Sequence, residues 1–185
     1  MTRDELQLAL NLSQDFIPAG RQNRPGTAIQ PTHLTIHNTS NTSKGADALA
    51  HAKFVKNTGH YILASGKKNW VSWHFTVDDK RVVQHLPVHE RALHAGPSGN
   101  ASSIGIEVCM NKGIDQNAAF RRAAQLVALL LFDTDADAAD FERIVPHFTW
   151  TKKNCPQLLL EGGKMGAKWN DFVQMIRDEH AKITA

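Results

Sequence analysis

The stretch Thr32-His33-Leu34-Thr35-Ile36-His37 alternates, with Leu34 and Ile36 on one face and Thr35 and His37 on the other. Period-two alternation marks a strand with one buried face, and here the opposite face ends on a histidine. The stretch therefore implies a sheet that packs a core on one side and carries chemistry on the other. Further along, Val71, Trp73, Phe75 and Val77 alternate with Ser72, His74 and Thr76. Asp78-Asp79-Lys80 separates them from a second apolar segment, Val82 to Leu86, which is a hairpin pattern. Ile104, Ile106 and Val108 alternate with Gly105, Glu107 and Cys109 in a third strand. Helical spacing appears from Lys44 to Asn57, with Ser43 as the expected N-cap, and again at Phe120, Ala123, Ala124, Val127, Leu130 and Leu131. It returns at Trp169, Phe172, Val173 and Ile176. Asn57 to Asn69 reads as a loop. Strands and helices in this order predict an α/β fold whose sheet is covered by helices.

At 185 residues the chain fits one domain, residues 1–185, in which 1–30 reads as a lead-in arm: a short apolar helix, Leu6 to Leu12, followed by turn formers. Hydrophobic content of 42% with 21% charged residues excludes a disordered chain, and no apolar run reaches the roughly 18 residues of a membrane span. A net charge of +3 and a pI near 9.0 suit an anionic polymer, but no aromatic residues interleave with a basic stripe, so nucleic acid is not an expected partner. The start, M-T-R-D-E-L-Q-L, has acidic residues where a signal peptide needs basic ones, so synthesis in the cytoplasm without such a signal is expected. Two cysteines, Cys109 and Cys155, do not make a disulfide framework, and Cys109 in I-G-I-E-V-C-M reads as a small buried hydrophobe. Neither composition nor motifs set an oligomeric state.

The densest chemistry lies in P-H-F-T-W-T-K-K-N-C-P, Pro146 to Pro156, where His147 and Cys155 sit eight positions apart and Lys153 precedes the cysteine. An imidazole and a thiolate are both good zinc ligands, and a loop of this length lets its ends converge on one ion. His37, at the end of its strand, is the best third donor. Three protein ligands leave a fourth tetrahedral position open, which marks a catalytic rather than a structural site. In a chain with ten histidines, spacing alone leaves separate surface or core residues as the simpler reading. Glu107 poses a second question. A carboxylate inside an apolar strand is either paired in a buried ion pair or held there for use.

Four stretches, I-H-N-T, W-H-F-T-V-D, S-I-G-I-E-V and P-H-F-T-W-T-K-K-N-C-P, together resemble the zinc-dependent N-acetylmuramoyl-L-alanine amidases of phage endolysins and bacterial autolysins, relatives of the peptidoglycan recognition proteins. The likeness runs from about Arg21 to Trp169. It implies a mixed central β-sheet flanked by helices, a Zn²⁺ cofactor bound by His37, His147 and Cys155, a catalytic Glu107, and Lys153 assisting at the reacting carbonyl. It implies peptidoglycan as the substrate, cut between N-acetylmuramic acid and the first L-alanine of the stem peptide, and action on the bacterial cell wall. H-E-R-A-L-H-A-G-P-S-G-N resembles the substrate-groove loop, which makes His94 and Asn100 candidate substrate contacts. Trp73 joins them, standing where some branches carry a tyrosine near the metal. An indole cannot exchange protons as a phenol does, so Glu107 is expected to carry more of the acid-base work. His74 is expected to be structural or to support the site.

Two other functions are compatible with such a sequence. A module that binds peptidoglycan without cutting it is disfavoured by the presence of Cys155, and a cytoplasmic amidase that recycles soluble muropeptides shares the chemistry but not the polymer. No repeat for wall anchoring is visible. The run D-T-D-A-D-A-A-D, Asp133 to Asp140, resembles the opening of a calcium loop, but Ala138 stands where the turn needs glycine and Ile144 where a glutamate belongs. It reads as a solvated helix entry.

Overall fold

The computed structural model of the protein describes residues 1–134 and 140–184. The Thr2 hydroxyl accepts from the Glu5 amide while the Glu5 carboxylate accepts from the Thr2 amide, and this capping box starts helix α1, Arg3–Ala9. There follow β1 (Leu12–Gln14), β2 (His33–Asn38), α2 (Ala48–Asn57), β3 (His60–Ile62), β4 (Lys68–Trp70), β5 (Phe75–Val77) and β6 (Val82–Gln84). Next come α3 (Gly96–Ser102), β7 (Ser103–Val108) and the long α4 (Gln116–Thr134). A 3₁₀ turn at Phe141–Arg143 leads into β8 (Ile144–Pro146), the one-turn α5 (Phe148–Thr151), β9 (Leu160–Glu161), β10 (Lys164–Met165) and α6 (Ala167–His180).

The main sheet has six strands in the order β1-β6-β5-β7-β2-β8, and only the β5–β6 pair is antiparallel. Leu34, Ile36, Phe75, Val77, Ile104, Ile106 and Val108 point to one face and join α1, α4 and α6 in the principal core. α4 is buried on more than one stripe, because it lies between the sheet and the Trp169–Phe172–Ile176 face of α6. The opposite face meets α2, where Ala48 and Ala52 pack on Val83 and Cys109. Register matters most on that second face: His37 lies beside Glu107 across β2 and β7, and Glu107 beside Thr76 across β7 and β5. The alternation that buries Ile36 and Ile106 in the core thus aligns three polar side chains on the other side. Among the described residues no helix is long and apolar enough to cross a membrane.

Several expectations shift. The N-cap of α2 is Asp47, whose carboxylate accepts from the Ala50 amide at 2.9 Å, rather than Ser43. The stretch read as a loop after Asn57 contains the β3–β4 hairpin, whose three-residue strands are too short to show an alternation. Val71–Trp73 is not strand; it leaves the sheet to pack with Ile17, Val55, Leu86 and Ala92 in a smaller core. The lead-in residues are folded into the body of the protein: Leu6 and Leu10 are fully buried, and β1 pairs with β6 at the sheet edge. Of the acidic run Asp133–Asp140, residues 135–139 lie outside the described residues, while Asp140 accepts from the Glu142 amide and caps the 3₁₀ turn.

Candidate metal centre

The parallel strands β2 and β8 end side by side, with Ile36 paired to Pro146, so the residues that follow leave the sheet at one edge. His37 ends the apolar alternation of β2, and the His147 amide donates to the Ile36 carbonyl at 3.2 Å. From His147 the chain makes the single turn of α5 and reverses at Lys152, whose φ of 62° is left-handed. The Phe148 amide then donates to the Cys155 carbonyl at 3.1 Å, closing the loop. The eight-residue separation is spent on one turn and a reversal, and its ends meet.

The outcome is a buried cluster. One donor atom each from His37, His147 and Cys155 lies within 4.8 Å of the others, the only such convergence of three His, Cys, Asp or Glu among the described residues. Cys155 Sγ is 3.7 Å from His37 Nδ1. Tetrahedral zinc with ordinary Zn–N and Zn–S bonds sets such a pair about 3.6 Å apart. The His147 Nδ1 is buried with no hydrogen-bond partner, which suits a metal-ligand nitrogen. Burial, reinforced by neighbouring positive groups, keeps both imidazoles neutral: His37 titrates well below the usual range, and His147 is brought down to about 4 by burial and then Lys153. Burial and then the Glu107 charge push the Cys155 thiol up to about 12, so only a cation held nearby makes it a thiolate at neutral pH. Neutral imidazoles, an orphaned nitrogen and a buried thiol fit zinc.

Glu107 completes this face. Its Oε1 is 3.9 Å from His37 Nδ1, and its Oε2 is buried without a partner. Burial raises its pKa to about 8, against the pull of Lys153. The buried ion pair considered from sequence is absent: Glu107 has no bonded cation among the described residues, and the Lys153 side chain is exposed. Lys153 nonetheless acts at a distance, lowering the proton affinity of His37, His147, Glu107 and Cys155 alike.

Of the three residues expected to contact substrate, Trp73 and Asn100 are buried and His94 is half-buried against the metal cluster. Trp73 is buried in the smaller core and its indole N–H donates to the Thr76 hydroxyl at 2.7 Å. The Asn100 side chain is buried and accepts from the amides of His94 and Ala95 at 2.8 and 2.7 Å. His94 is turned onto the metal cluster, its Nδ1 2.9 Å from His37 Nε2, and burial and then His74 hold its pKa near 3. His74 is structural, as expected: its Nδ1 accepts from the Gly105 amide and its Nε2–H donates to the Glu90 carbonyl. Cys109 is a free, buried thiol in an apolar cluster.

One residue escaped sequence reasoning. Tyr61, the chain's single tyrosine, projects from the β3–β4 hairpin, packs tilted against Phe54 with ring centroids 5.2 Å apart and lines a pocket of about 200 Å³ with Thr39, Asn41, Ala46, Ala50 and His51. Burial and then the Glu107 charge raise its pKa, so the phenol stands within electrostatic range of the catalytic candidate. The missing phenol at position 73 was the available signal, but nothing in a short loop-like segment tied Tyr61 to the site.

Residues 27–158 match the family described as N-acetylmuramoyl-L-alanine amidase. The chain is 44% identical over 166 residues to N-acetylmuramoyl-L-alanine amidase XlyA of Bacillus subtilis (strain 168), covering 88% of this chain and 50% of that one. It is 42% identical over 171 residues to N-acetylmuramoyl-L-alanine amidase CwlH of the same organism, covering 90% and 61% respectively. The solved catalytic domain of XlyA superposes with a TM-score of 0.77 at 42% identity, over 90% of this chain and 99% of that domain. The chain thus spans about half to three-fifths of the length of these curated relatives and nearly all of the solved domain.

Proposed function

The chain belongs to the N-acetylmuramoyl-L-alanine amidase family, and from that membership we propose that it is a zinc-dependent peptidoglycan hydrolase that cuts the amide between N-acetylmuramic acid and the first L-alanine of the stem peptide. The observation that supports it most is the convergence of His37, His147 and Cys155 beside a buried, unpaired Glu107 on one face of the sheet. Bound zinc supplies Lewis acidity at the scissile carbonyl and lowers the pKa of water to about 7.

The remaining steps belong to the chain's own groups. Glu107, whose carboxylate form a cation held nearby would favour over the neutral acid that burial favours, takes the proton of the attacking water and hands it to the departing alanine nitrogen. Lys153 contributes positive charge beside the carbonyl oxygen as that oxygen becomes negative. The substrate is then the wall polymer, and the site of action the bacterial cell wall.

The test is to incubate the zinc-loaded protein with purified peptidoglycan and with small soluble muropeptides, and to follow free alanine amino groups and reducing sugar ends. The expected result is new N-terminal alanine from the intact polymer without new reducing ends. New reducing ends would make the enzyme a glycosidase, and release from fragments alone would make it a recycling amidase.

A further inference from the structure

We propose that His94 is a positioning residue that fixes His37 in the one tautomer able to bind zinc, an inference that rests on the zinc reading given above. A neutral imidazole carries one proton, so a histidine ligating through Nδ1 must hold its hydrogen on Nε2. His37 Nδ1 is the nitrogen turned to the cluster, 3.7 Å from Cys155 Sγ and 3.9 Å from Glu107 Oε1. Its Nε2 points the other way and meets His94 Nδ1 at 2.9 Å. Only one assignment leaves the Nδ1 lone pair free: His37 Nε2–H donates, and His94 Nδ1 accepts with its own hydrogen on Nε2.

The surroundings hold His94 to that task. Its backbone amide and that of Ala95 both donate to Asn100 Oδ1, which clamps the loop. The ring lies over Gly105, where an added Cβ would come within 2.7 Å of His94 Nδ1. Gly105 sits in β7 in register with Thr35 and has no left-handed backbone, so its small size serves the ring's approach and not a turn. Beneath it, the Gly105 amide donates to His74 Nδ1 and His74 Nε2–H donates to the Glu90 carbonyl, which pins this part of the strand. A substrate-binding role for His94 has no atom to use: Nδ1 is engaged by His37 and Nε2 is buried. His94 acts through His37, and Asn100 and Gly105 act through His94.

Loss of such an outer partner lowers metal affinity about 10- to 100-fold in comparable sites. The experiment measures zinc affinity by competition with a chromogenic chelator for the wild-type chain, His94→Leu and His94→Asn, and records the imidazole ¹⁵N spectrum of metal-free wild-type protein. His94→Leu, which fills the space without an acceptor, should bind zinc about 10- to 100-fold more weakly. His94→Asn, whose carbonyl oxygen can accept at the same place, should recover most of that loss, and His37 should be protonated on Nε2 in the spectrum. Wild-type affinity in His94→Leu, or a His37 proton on Nδ1, would overturn the proposal. If His94→Leu fails to fold, the spectrum of the unaltered protein decides alone. A wild-type chain that binds no zinc sinks the metal reading itself, whereas a zinc-binding wild type beside an equally tight His94→Leu sinks only this inference.

Discussion

Replacing Glu107 with glutamine should make the metal-free protein more stable at neutral pH while making the loaded enzyme slower. The folded carboxyl titrates near 8 against an ordinary value of 4.5. A folded-state pKa above the unfolded one gives stability that is whole below pH 4.5 and is lost as the pH rises through 8, because ionisation favours the unfolded chain. At about 1.4 kcal/mol per pKa unit, that loss is below about 1 kcal/mol at pH 5 and about 3 kcal/mol at pH 7. Glutamine does not titrate. Its amide donors lie where Oε2 has no partner, a penalty that is the same at every pH, so the pH-dependent part of the difference isolates the carboxylate. Denaturant unfolding of metal-free wild type and Glu107→Gln at pH 5 and pH 7 should therefore show the variant gaining about 2 to 3 kcal/mol relative to wild type between the two. On the same preparations reloaded with zinc, the variant should keep its metal and lose about 10²- to 10⁴-fold in turnover, the range for removing a general acid-base group. A stability difference that is flat with pH would show that Glu107 is not buried as a neutral acid. Wild-type turnover in a folded, zinc-loaded variant would remove it from the mechanism.

His37→Ala and His147→Ala should each lose the single zinc expected per chain, measured by metal analysis after dialysis, whereas His180→Ala should retain it; equal loss from all three would make the ligand assignment arbitrary. Lys153→Ala should keep zinc and lower turnover by about 10²-fold, and an unchanged rate would reduce Lys153 to a solvated surface charge. His74 and His85 titrate near 4 and 3, below their unfolded value of 6.5, so the stability they contribute is present above pH 6.5 and is lost as the pH falls toward their folded values. In the metal-free Glu107→Gln background, where the opposing carboxyl is gone, each should weaken the protein by about 2 kcal/mol on acidification from pH 6.5 to pH 5. A thermal midpoint constant over that interval would refute the burial of both rings.

The faces of β2 and β7 were legible in the sequence because both strands alternate over six residues, long enough for Ile36 and Ile106 to declare the core and for His37 and Glu107 to fall opposite. The donor set was legible only through the resemblance of four stretches taken together, because the spacing of His147 and Cys155 in a chain with ten histidines did not single them out. The shorter pieces were not. Three-residue strands such as β1, β3 and β4 carry too little pattern, and their pairing depends on partners far along the chain. Asp47 and Ser43 are both capable caps, and tertiary contact chose between them when Ala48 was buried against Val83. The inward turn of His94 depends on a Cβ that Gly105 lacks, a relation between residues of two different elements that spacing does not express. Trp73 likewise carried the alternation of a strand but is held by an indole hydrogen bond to Thr76 in a core of its own.

The central claim is that this chain directs water at one particular amide. Digestion of purified peptidoglycan by the zinc-loaded protein in H₂¹⁸O, followed by mass spectrometry of both product classes, tests it most directly. Hydrolysis of that amide places the water oxygen on the acyl side, so the account predicts ¹⁸O in the lactyl carboxylate of muramic acid and unlabelled stem peptides with a free N-terminal alanine. Label in a new carboxylate of the stem peptide, or at a sugar reducing end, would contradict it.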